Sequence, residues 1–89
     1  MNQLIPKDVT AALKLVERQT MAMRDGQRPL QSVHEGYAYM VDFVDDFFAA
    51  VKAHPRNWTK LRVEAVNVAA LAVRFVVDIT GVDDERKSG

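Results

Sequence analysis

Four side chains in this sequence have the types and spacing to hold a hard cation: Asp42 and Asp46 in one helical stretch, Glu64 and Asn67 in the next. If the two stretches pair antiparallel, Asp46 falls level with Glu64, and Asp42 falls within one residue of the level of Asn67, because each helix rises about 1.5 Å per residue. Faces turned toward each other would gather oxygen ligands of the kind magnesium requires. The competing reading of Asp42, Asp45 and Asp46 is a solvated acidic helix face. Glu64 and Asn67 resist so plain an account, because a polar group in an apolar helix needs a partner or water.

The helix that must position Glu64 and Asn67 is the most apolar part of the chain. From Val63 to Val77 only Glu64, Asn67 and Arg74 are polar, and with Lys60 and Asp78 they step along one narrow line at 3.6 residues per turn. Leu71 is the one apolar residue on that line. The pattern predicts the central helix of a bundle, with the polar ridge facing solvent or a site and Leu71 buried against a partner helix. Arg74 and Asp78 stand four apart, the spacing of an ion pair along one helix.

The helix carrying Asp42 and Asp46 marks its own start, since Ser32 followed by Glu35 has the spacing of a capping box. Val33, Tyr37, Met40, Val41, Val44, Phe47, Phe48 and Val51 form its expected interior stripe. Glu35, Asp42 and Asp46 lie on the opposite side, where Tyr39 and Phe43 suggest a second contact surface. His54 and Pro55 close this helix, and Asn57 is the expected N-cap of the next. So short a connection predicts a hairpin, running to Gly81. Trp58 is expected to staple the hairpin end. Lys52, Arg56, Lys60 and Arg62 gather near that end, and such residues are usually solvated. All four are also placed to hold phosphate oxygens.

An earlier helix follows Pro6, with Val9, Ala12, Leu13, Val16, Thr20 and Met23 at helical spacing, Arg24 at its end and Gly26 as its stop. Residues 25–31 contain Gly and Pro without periodicity and read as a loop. The C-terminal VDDERKSG is a charged tail expected to fray.

Composition excludes several classes. Eighty-nine residues make one domain, and a chain of that length buries only about 60 to 65% of its unfolded surface, so partner subunits would stabilise it. Twelve basic and twelve acidic side chains cancel, which removes the field that sequence-independent nucleic-acid binding needs. A helix as apolar as the third is also unsuited to a DNA groove. Without cysteine there is neither a disulfide framework nor a thiolate metal site. The N-terminus lacks the features of a signal peptide, and no apolar run reaches spanning length. The expectation is a cytoplasmic all-α protein of three helices, assembling into an oligomeric helical bundle.

The run HEGYAYMVDFVDDFFAAV, followed after a short link by LRVEAVNVAALAVRFVVDI, resembles the metal-binding hairpin of the all-α nucleoside triphosphate pyrophosphohydrolases, the MazG-like group. The upstream ERQTMAMRDGQRPLQS is similar to the helix and loop before that hairpin, so the resemblance covers most of the chain, residues 1–89 forming one such domain. It implies a helical homodimer or higher homo-oligomer that uses Mg2+ to hydrolyse a nucleoside triphosphate to the monophosphate and pyrophosphate. Asp42, Asp46, Glu64 and Asn67 would then be the metal ligands, Glu64 also the catalytic carboxylate, and Lys60 and Arg56 the substrate-binding residues. The sequence departs from the family pattern of two acidic pairs, because Phe43 stands at one acidic position and Asn67 at another. The alternative is a catalytically inactive helical oligomer serving as a binding or assembly module.

Overall fold

The computed structural model describes residues 7–81. The expected helix start at Pro6 and the charged C-terminal tail lie outside them. Three helices, α1 (Lys7–Gly26), α2 (Val33–Lys52) and α3 (Trp58–Phe75), are followed by a π-helical turn, Val76–Thr80, and no strand occurs among the described residues. The helix starts follow local chemistry. Ser32 Oγ accepts from the Glu35 backbone N–H at 3.0 Å, and Asn57 Oδ1 accepts from that of Lys60 at 3.0 Å. Each thereby satisfies one of the amides that the first helical turn leaves free. At the far end Gly81, with φ 73°, closes the π-helical turn by donating its N–H to Val76 O at 2.8 Å. That left-handed backbone suits glycine. The first helix continues past Arg24 through Gly26, two residues beyond the expected end.

Helix α3 is central, packing against both α1 and α2, which share few contacts with each other. Of the two expected settings for the polar line, solvent or a site, its middle does not take the first. The polar line does not face solvent: Glu64, Leu71 and Arg74 on it are buried and Asn67 is half-buried, while Val63, Val73, Val76 and Val77 are exposed. Leu71 is 1% exposed, as its place on that line predicts.

Helix α2 meets α3 through a stripe rotated from the one expected: Met40, Phe47 and Val51 turn inward as anticipated and the rest do not. Gly36 and Ala50 are buried and Met40, Phe43 and Phe47 half-buried, a seam at alternating spacings of four and three. Val33, Tyr37, Val41, Val44 and Phe48 instead point outward, Tyr37 at 67% exposure. The reason is close approach: a Cβ at Gly36 would lie 2.5 Å from the Phe75 ring. Small residues draw two helices together, and the larger apolar residues are left on the other half of α2. Gly36→Ala is therefore expected to cost roughly 1–3 kcal/mol from overpacking, although alanine favours helix by ~1 kcal/mol. Thermal and denaturant melts measure this. A more stable variant would show that the Phe75 ring swings aside without loss.

Candidate functional site

The expected ligand set divides between two surfaces. Asp46 and Glu64 line one open cleft of about 340 Å3 between α2 and α3, with Lys60 and three alanines, Ala49, Ala50 and Ala53. Asp42, a turn before Asp46, is exposed and not among its lining residues. Asn67 is turned toward α1 and lines a separate groove there. Among the described residues no group of three or more His, Cys, Asp or Glu side chains is placed to hold a metal ion.

Glu64 is the residue that most needs explaining, since it is 7% exposed on an otherwise apolar helix. A buried carboxylate without a counter-charge is costly. Lys60 supplies one, reaching along one turn so that Nζ lies 2.7 Å from Glu64 Oε2. Lysine preceding glutamate is the weaker order for such pairs, so burial of the carboxylate rather than helix geometry accounts for this bond. The hydrogen bond and charge of Glu64 hold the Lys60 ammonium above the usual lysine range, and Asp46 adds to the effect. Lys60 thus sits where a cation would sit. Magnesium commonly takes one or two carboxylates from a protein and fills its shell with water and phosphate; in this cleft one of the two carboxylates is engaged by the Lys60 ammonium.

The arginine and aromatic expectations resolve differently. Arg56, on the connection between α2 and α3, bonds through Nε to Val51 O at 3.3 Å and lies over the Trp58 ring at 5.7 Å. Trp58 is 72% exposed, and its ring meets the Arg56 guanidinium of the connection. Lys52 covers the Phe48 ring at 4.5 Å.

A second polar cluster holds the loop between α1 and α2, and it corrects the expected Arg74–Asp78 pair. Arg74, 3% exposed, donates to Gln27 Oε1 at 2.8 Å and to Arg28 O at 3.1 Å, and its buried Nε has no partner. Asp78 instead accepts from Arg24 at 2.7 Å and from the Leu30 amide at 2.9 Å. Arg28 and Glu35 pair at 2.6 Å, and Glu35 also accepts from the Gln31 amide at 2.6 Å. The Gln31 amide and then Arg28 hold the Glu35 carboxyl below the usual carboxylate range. An arginine within the apolar run from Val63 to Val77 is the sequence signal for this cluster. Its partners lie some 46 residues away, where local spacing does not reach.

Compared with protein-family models, curated proteins and solved structures, the chain matches none.

Proposed function

We propose that the chain is a self-assembling helical module, whose second copy covers the outer half of α2. The observation that carries this reading is the distribution of apolar side chains among the described residues. Only Met23, Leu30, Ala50, Ala70 and Leu71 are buried, whereas Val33, Tyr37, Val41, Val44 and Phe48 form a continuous exposed stripe on α2. Contiguous apolar surface of that kind marks an interaction site. Within each copy α2 and α3 are read as an antiparallel hairpin, Gly36 meeting Phe75 near one end and Asp46 sharing a cleft with Lys60 and Glu64 toward the other. Sedimentation at low micromolar concentration is the test. A dimer or larger species is expected, and a stable monomer overturns the reading.

One observation favours a second reading, the magnesium-dependent nucleoside triphosphate pyrophosphohydrolase: Asp46 and Glu64 lie on one cleft. On this reading the ion would supply charge neutralisation of the phosphates. Glu64→Gln keeps shape and removes charge, so it separates the two. If the cleft serves a nucleotide, magnesium with nucleotide raises the melting temperature of the wild type and not of the variant, and pyrophosphate release is lost on substitution. Equal melting of both proteins, without pyrophosphate, leaves assembly alone.

A further inference from the structure

The groove that receives Asn67 has a composition unlike the rest of the surface. It lies between α1 and α3 with a volume of about 350 Å3, and its walls include Leu15, Arg18, Gln19, Arg62, Val66 and Asn67. Gln19, Val66 and Asn67 are half-buried, so they lie deeper, while Arg18 and Arg62 are exposed at the outer edge. One arginine comes from each helix. Among the described residues neither guanidinium makes an ion pair, and neither side-chain amide makes a hydrogen bond. The other arginines of the described chain differ: Arg24, Arg28, Arg56 and Arg74 all have partners.

We propose that this groove binds an organic phosphate monoester with an apolar body, clamped at the phosphate by Arg18 and Arg62. The chemistry follows from the three layers. A guanidinium presents paired donors that match phosphate oxygens, and two of them on opposite walls neutralise a dianion. Leu15 and Val66 offer an apolar surface for the body of the ligand, and Gln19 and Asn67 offer side-chain donors and acceptors at its edge. Apolar contact and charge then act together, so neither inorganic phosphate nor an uncharged ring satisfies the site. A second copy of the chain is a poor occupant, because an apolar helix face laid here would bury two unpaired cations. The site is independent of self-association, and it needs no metal, since the arginines carry the positive charge.

Phenyl phosphate is the probe, titrated in chelator and followed by amide and methyl NMR shifts. Saturable shifts are expected at Leu15, Val66 and the side-chain amides of Gln19 and Asn67, with inorganic phosphate and phenol each at least tenfold weaker. Arg18→Gln combined with Arg62→Gln changes two exposed residues, so melting should be unaltered while the affinity falls at least tenfold. Glu64→Gln should bind as the wild type does, which separates this groove from the Asp46–Glu64 cleft. No shift at millimolar phenyl phosphate overturns the proposal. So does equal binding by the double variant, or inorganic phosphate binding as tightly as the ester.

Discussion

Leu71→Ala is expected to lower the unfolding free energy by about 2–5 kcal/mol, the range for a large-to-small change at a site that cannot collapse. Leu71 is the only large side chain in the described structure that is fully buried, at 1% exposure, and its neighbour Ala70 is at 0%. The position lies on the helix that both others pack against. Charged neighbours on the same line, Glu64 and Arg74, are held by their own partners and cannot move in to fill the space left by the missing methyls. Denaturant melts at fixed protein concentration measure the loss. A loss under roughly 1 kcal/mol would mean that the position behaves as a surface site.

Val44→Asp should have the second large effect, and one that a single copy does not anticipate. Val44 is 42% exposed within the chain. For an isolated subunit, an aspartate there would change stability by no more than about 0.5 kcal/mol. If a second copy covers the stripe, the same aspartate becomes a buried, unpaired charge in the middle of an apolar interface. Such a charge costs several kcal/mol, enough to shift sedimentation from the assembled species to the monomer. Chains that need the assembly to fold would then also lose helical signal at low micromolar concentration. Unchanged sedimentation would move the interface off α2.

What is legible in the sequence is local. Ser32 and Asn57 cap their helices because a cap needs only three residues of context. Leu71 can be read as buried because an apolar side chain on an otherwise polar line gains nothing from water and must pack against a neighbour. The inward stripe of α2 is harder to read, because its apolar residues span about half of the helix circumference and periodicity does not say which half meets α3. Bulk points to Tyr37 and Phe48, whereas contact distance favours Gly36 and Ala50. For the candidate site, height is legible and rotation is not. Asp46 and Glu64 share a cleft as their levels predict, while Asn67, three residues beyond Glu64, is carried round toward α1. The Arg74–Asp78 spacing misleads for a similar reason, since each side chain finds a tertiary partner that the local ion pair cannot match.

The cluster around Arg74 and Asp78 also bears on the order in which the molecule can fold. Its hydrogen bonds join residues 46, 47, 48 and 54 positions apart, from Arg74 to Arg28 and Gln27, and from Asp78 to Leu30 and Arg24. Contacts of such separation form late, because a long loop must close before they add any stability. On the ribosome, α1 and the loop after it would emerge well before the arginine and aspartate that anchor them. Helix formation within each segment can proceed as it is made. The hydrogen bonds that fix the loop after α1 must wait for the last turn of α3 and the π-helical turn that follows it.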